Sequence, residues 1–161
     1  MPINISTKGK TTIYTFKDYS AKFIEIKKPT KESMGFCDVK LLIKNTPAWT
    51  FHYFYSPTDC RVDNLLATNP SKNGSKQAAM ELDFLMHCVE KHLFSKGVTL
   101  QKVRTHKGFA RFLSRRGWTV KNKSPTTFDM EKILKKRNNP APSIMGGKWK
   151  AKRALAIRRI R

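Results

Sequence analysis

The chain has 161 residues, 39% hydrophobic and 11% aromatic, which suits one folded domain and excludes an intrinsically disordered polymer. Its 33 Lys and Arg against 11 Asp and Glu leave a formal net charge of +22, a self-repulsion that requires an anionic partner, nucleic acid before a lipid surface. Three scattered cysteines (Cys37, Cys60, Cys88) argue for free thiols, and no apolar run or leader-like core suggests a membrane role, so the expected setting is intracellular.

In chain order, Thr11 to Phe16 alternates weakly as a strand. Tyr19 to Lys28 fits a strand or a short helix equally. Cys37 to Lys44 puts Val39, Leu41 and Ile43 on one face and Lys40, Leu42 and Lys44 on the other, the two-residue period of a strand. Asn45-Thr46-Pro47 is a turn, Trp49 to Tyr55 is an aromatic second strand, and Ser56 to Asp59 breaks it. Val62 to Thr68 is a mostly apolar strand. From about Ser75 to Ser95 a helix places Ala78, Leu82, Leu85, Val89 and Leu93 on one stripe, with Asp83, His87, Glu90 and Lys91 opposite. Gly97 ends it. Val98 to Arg104 is a strand, Phe109, Phe112 and Leu113 form the stripe of a short helix stopped by Gly117, and Trp118 to Lys121 with Thr126 to Leu134 form a closing hairpin. The sum is an α+β domain over 1–134, a mixed and mainly antiparallel twisted sheet flanked by helices.

Beyond Leu134 the composition changes. Residues 135–161 hold ten Lys and Arg and no acid, leaving 23 basic and all 11 acidic residues in 1–134. This C-terminal arm mixes Lys148, Lys150, Lys152, Arg153, Arg158, Arg159 and Arg161 with Trp149, Leu155, Ile157 and Ile160. On a helical wheel the charges go all the way round, which suits enclosure by phosphates or an acidic protein surface better than a flat membrane.

A polar turn around Asn73-Gly74 joins a strand to a helix start, where free backbone N–H groups and the dipole favour a phosphate. The order of elements resembles the GNAT superfamily of N-acetyltransferases over roughly Thr11 to Leu134. The resemblance implies that Leu66 and Ala67 lie on a splayed strand facing pantetheine. It implies that Lys72, Asn73, Gly74, Ser75 and Lys76, within the Asn69–Gln77 segment, hold the pyrophosphate of acetyl-CoA. Phe112-Leu113-Ser114-Arg115-Arg116-Gly117-Trp118 resembles the family's Phe-Tyr-x-x-x-Gly-Phe stretch. Two departures stand out. The loop has Ser71 where the family's Gln or Arg falls and Lys76 where its second small residue falls. Leu113 occupies the place of the general-acid tyrosine, and a leucine cannot protonate a leaving thiolate. Asp63 or Asp59 is the loose candidate for a catalytic base. The Arg-Phe-Leu-x-x-x-Gly version also resembles acetyltransferase-like internal proteins of short-tailed phages.

Blander functions compete for the remaining residues. Cys88 and His92 stand four apart without further metal ligands at suitable spacing, so no metal site is expected. Trp49, Phe51, Tyr53 and Tyr55 fit a sheet core better than a base-stacking row. Three functions follow. The first is a non-catalytic GNAT-like subunit of a virion or nucleoprotein particle, anchored through the arm to nucleic acid or to other subunits. The second is an active acyl-CoA N-acetyltransferase, and the third a stand-alone nucleic-acid binder. The setting is then host cytoplasm or the virion interior.

Overall fold

The computed structural model describes residues 3–57, 59–67 and 75–134, with the strand path alone for 59–67. The described elements are β1 (Asn4–Lys8), β2 (Thr11–Phe16), β3 (Tyr19–Lys27), β4 (Gly35–Ile43), β5 (Thr46–Tyr55), β6 (Asp59–Ala67), α1 (Lys76–Ser95), β7 (Leu100–Thr105), α2 (Lys107–Arg115), β8 (Thr119–Lys123) and β9 (Phe128–Ile133). They form one sheet in the order β1-β2-β3-β4-β5-β6-β7-β9-β8. Neighbours run antiparallel except β6 and β7, which are parallel. No described helix is long and apolar enough to cross a membrane.

The Tyr19–Lys28 ambiguity resolves as strand: β3 alternates inward Ala21, Phe23 and Glu25 with partly exposed Ser20, Lys22 and Ile24. Residues 4–8, unassigned in the sequence, extend the sheet as β1, all of it exposed. Its pairing with β2 supplies what its composition does not. The β4–β5 turn is shorter than expected. Lys44 and Asn45 alone make it, at φ 51° and 65°, while Thr46 and Pro47 already belong to β5. Two successive left-handed residues match the right-handed twist of a hairpin, and Asn at the second tolerates that conformation best.

Both helices end as the sequence suggests, and for one reason. At α1 the N–H of Val98 bonds Leu93 O at 3.1 Å and that of Gly97 bonds Phe94 O at 3.0 Å. At α2 the N–H of Trp118 bonds Leu113 O and that of Gly117 bonds Ser114 O, each at 3.2 Å. Gly97 and Gly117 hold φ of 83° and 89°, a region a side chain would make costly. The apolar residue after each glycine closes back on the helix, so Val98 and Trp118 are buried with Leu93 and Leu113.

Two crossovers fix the layering. β6 leads through α1 to the adjacent parallel β7. β7 leads through α2 to β8, which is parallel to it because both pair antiparallel with β9. Both connections step the same way along the sheet. Right-handed crossovers then place both helices on one face. Contacts agree: Trp49 Nε1 of β5 donates to Glu81 Oε1 of α1 at 3.0 Å, and Arg116 beyond α2 reaches Asp83 and Glu90 of α1.

The core lies between that face and α1. Ala78, Leu82, Leu85, Val89 and Leu93 meet Phe23, Val39, Leu41, Phe51 and Tyr53, all buried. At roughly 2 kcal/mol per fully buried large side chain, this stripe is what holds α1 to the sheet. The face of α1 expected to meet water does not. Asp83, His87 and Glu90 are buried, and of that set only Lys91 is exposed. The physical reason is charge: Arg116 pairs with Asp83 and Glu90, and Lys132 Nζ sits 2.5 Å from Glu90 Oε1.

Candidate functional site

β6 and β7 part company midway. Their ladder runs from Asp59↔Leu100 to Val62↔Val103 and stops. Beyond it β6 continues to Ala67, still paired with β5 through Thr50↔Leu66 and Trp49↔Ala67. β7 continues to Thr105, paired with β9 along its whole length. The sheet therefore opens as a wedge toward the carboxyl ends of two parallel strands. Asp63 is the first β6 residue past the last pair, in register with His52 of β5. Leu66 and Ala67 lie along the open part. Lys72, Asn73 and Gly74 fall outside the described residues, as does most of the Asn69–Gln77 segment.

Helices begin where parallel strands end, so α1 and α2 both start at the carboxyl end of the parallel pair, and the first turn of α1 reaches β3, where Gln77 Nε2 donates to the Tyr19 hydroxyl at 3.4 Å. Ser75 caps α1, its Oγ accepting from Ala78 N at 3.0 Å. His106 caps α2, its Nδ1 accepting from Phe109 N at 3.4 Å. Neither first turn carries an acid, and Lys76 and Lys107 occupy the first helical positions. A lysine there opposes the helix dipole and costs stability, while a bound anion reverses that sign. Sequence reading singled out the α1 end alone. The α2 end was also legible, in a His-Lys-Gly run directly after a strand.

The acid–base groups are less well provided. Leu113 has 0% exposure and packs in the core beside Phe112 and Trp118. It is also the residue whose carbonyl takes the Trp118 N–H, so it is committed to ending α2. Cys37 and Cys88 are buried, and burial pushes the Cys37 thiol up to about 11 and Cys88 higher still, the opposite of an activated nucleophile. His92 is a core residue. Its Nδ1 lies 3.0 Å from the Tyr14 hydroxyl and its ring stacks on Phe23 at 4.3 Å. Burial, then the nearby Lys96 charge, lowers it to about 4. No cluster of three His, Cys, Asp or Glu that suits a metal occurs among the described residues.

Trp49, Phe51, Tyr53 and Tyr55 point inward and are buried, as a sheet core demands. Along β7, which borders the wedge, and over β8 and β9, a depression of about 250 Å³ is lined by Lys102, Arg104, Lys121 and Asp129 among others. Arg104 there is already tied to Asp129, Nε to Oδ1 at 2.8 Å. We assign it no role. Residues 135–161, including Lys148, Trp149, Lys150, Lys152, Arg153, Arg158, Arg159 and Arg161, lie outside the described residues.

No protein-family model matches the chain, and no curated protein matches it. Solved structures do. Aminoglycoside 6'-acetyltransferase type Ii aligns at TM-score 0.52 and 15% identity, over 63% of this chain and 71% of that one. An aminoglycoside 6'-N-acetyltransferase complexed with coenzyme A aligns at 0.51 and 12%, over 65% and 76%. The ribosomal-protein-S18-alanine N-acetyltransferase from Escherichia coli aligns at 0.51 and 9%, over 65% and 72%. At such identities the likeness is one of fold. The chain has the fold of the GNAT N-acetyltransferases.

Proposed function

We propose that the chain is a non-catalytic GNAT-fold subunit of a nucleic-acid-containing particle, anchored through its basic arm. The observation that carries this is Leu113. The position that would supply a general acid is filled by a core side chain with no exposure. The basic excess supports the second half: ten Lys and Arg without an acid in 135–161. Phosphates neutralise such a segment without reading sequence.

A specific observation favours a second reading, acyl-CoA binding. The wedge past Val62↔Val103 and a helix N-terminus bearing Lys76 without a first-turn acid fit a pantetheine arm and its phosphates. Backbone groups of Leu66 and Ala67, with Ser75 and Lys76, would hold it; the cofactor itself would supply a thioester-activated acyl group.

One pair of measurements decides between them. Calorimetric titration with acetyl-CoA at moderate salt is expected to give no heat of binding. Saturable binding would restore the acyltransferase reading. Nucleic-acid binding by the full chain is expected to weaken when the basic residues of 135–161 are replaced by Gln, with the slope of log K against log salt shallower by several units. If affinity and slope both stay as they were, the arm is not the anchor.

A further inference from the structure

α1 and α2 share one face of the sheet, and no described helix covers the other. On that outer face the register aligns side chains across three strands. Ile24 stands opposite Asp38, and Asp38 opposite His52. Lys22 stands opposite Lys40, and Lys40 opposite Thr50. Phe36 stands opposite Phe54. Strand alternation sends all of these away from α1, because their neighbours Phe23, Cys37, Val39, Phe51, Tyr53 and Tyr55 are buried on the α1 side. Phe36, His52 and Phe54 are half-buried where a one-layer sheet leaves them. They touch one another: Phe36–Phe54 at 5.0 Å between ring centres, Phe36–His52 at 5.1 Å, and His52–Phe54 at 5.7 Å. Exposed Ile26, at 52%, extends the patch at one end, and exposed Lys40 with partly exposed Lys22 borders it at the other.

We propose that Phe36, His52 and Phe54, flanked by Lys22 and Lys40, form a platform on which single-stranded nucleic acid stacks its bases. Three clustered, half-exposed rings give π-faces to unpaired bases, and a duplex has none free to offer. The two lysines and the chain's +22 charge select a polyanion over an acidic-poor protein surface. Asp38 stands opposite His52 on one side and Asp63 on the other, so acids border His52 in both register positions and disfavour a phosphate there. The backbone of a bound strand is thereby directed toward Lys22 and Lys40. The platform shares no residue with the wedge or the arm, although His52 stands in register with Asp63 where the wedge begins. It rests on the nucleic-acid reading for its ligand class and differs from it in place and in physics: stacking, where the arm works by charge.

The test compares a short oligothymidine with a mixed-sequence duplex, binding the full chain at about 0.3 M salt, where charge contacts are screened. The parent is expected to favour the single strand. Phe54→Leu and His52→Ala should each weaken single-strand binding by roughly tenfold, with duplex binding, salt slope and melting midpoint unchanged. Should the ring variants fail to fold, Lys40→Glu, at an exposed position, should lower single-strand binding instead. Equal binding of single strand and duplex by the parent would overturn the platform and leave the arm intact. Folded variants that bind like the parent would overturn it too, as would a change in their self-association without a change in nucleic-acid binding. A lost single-strand preference alongside an unaltered effect of arm neutralisation would support both sites independently.

Discussion

The Lys132 ammonium lies 2.5 Å from the Glu90 carboxylate, with about 5% and 7% of the two side chains exposed. Lys132 also donates to Arg116 O at 2.5 Å, and Arg116 holds Asp83 as well as Glu90. Two cations and two anions thus bind the middle of α1 to β9 and to the end of α2, away from water. Removing one member leaves a buried charge uncompensated. Glu90→Ala should therefore lower stability by about 3 to 5 kcal/mol in chemical denaturation. Asp129→Ala, at the exposed Arg104 pair, should cost far less, because solvent screens that pair. Equal losses for the two would mean the α1 cluster is solvated.

Acid should weaken the fold in two stages. His92 is held at about 4 against an ordinary 6.5, so between those values the unfolded chain takes up a proton that the folded chain refuses. Stability is then full above 6.5 and falls toward pH 4, by on the order of 3 kcal/mol. Glu25 adds a second, lower window. Its burial alone would raise it, but the hydrogen bonds from Lys96 and Tyr55 outweigh that and hold it below the usual carboxylate range. Its share is present above about 4.5 and lost as pH falls further. Melting midpoints between pH 7 and pH 4 should drop accordingly, and His92→Leu should flatten the upper part. A midpoint constant over that range would show that His92 takes its proton inside the fold.

Leu113→Tyr is the substitution that would write the acetyltransferase tyrosine back into the sequence. Leu113 has no exposure, so the larger ring must displace Phe112 or Trp118. The expected result is a loss of about 1 to 3 kcal/mol and no acetyl transfer to amines. A stable variant that transfers acetyl groups would show that the site lacked one hydroxyl and nothing else.

Leu85, fully buried at the centre of the α1 stripe, should not tolerate a carboxylate. Leu85→Asp is expected to abolish the cooperative melting transition, because the charge has no partner there. A variant that melts like the parent would refute the packing of α1 on the sheet.

Much of this fold was legible because periodicity reports burial. The alternation in Cys37–Lys44 put Val39 and Leu41 inward, and both are fully buried. The stripe on α1 was likewise right, as were the two glycine stops. What failed has a common cause. Asp83, His87 and Glu90 stood opposite the apolar stripe as polar residues, and the distant Arg116 and Lys132 compensate the buried charges of Asp83 and Glu90. β1 escaped notice because an exposed edge strand has no apolar period to display. At the site, the wedge was expected from the family resemblance. The sequence did assign Trp49, Phe51, Tyr53 and Tyr55 to the core, but the outward rings did not stand out, because Phe36 lies on another strand and only the β4–β5 register brings it to Phe54 and His52.

The two edges of the sheet have a consequence for handling the protein. Among the described residues, β1 and β8 are the sheet's edges, each a wholly exposed strand with no neighbour on one side, the arrangement that seeds fibrils when two molecules meet edge to edge. Both edges carry lysine: Lys8 on one, Lys121 and Lys123 on the other. Their mutual repulsion keeps neighbouring sheets from joining. Lysine acetylation, high salt or a polyanion in excess would each weaken that repulsion and favour edge-to-edge joining.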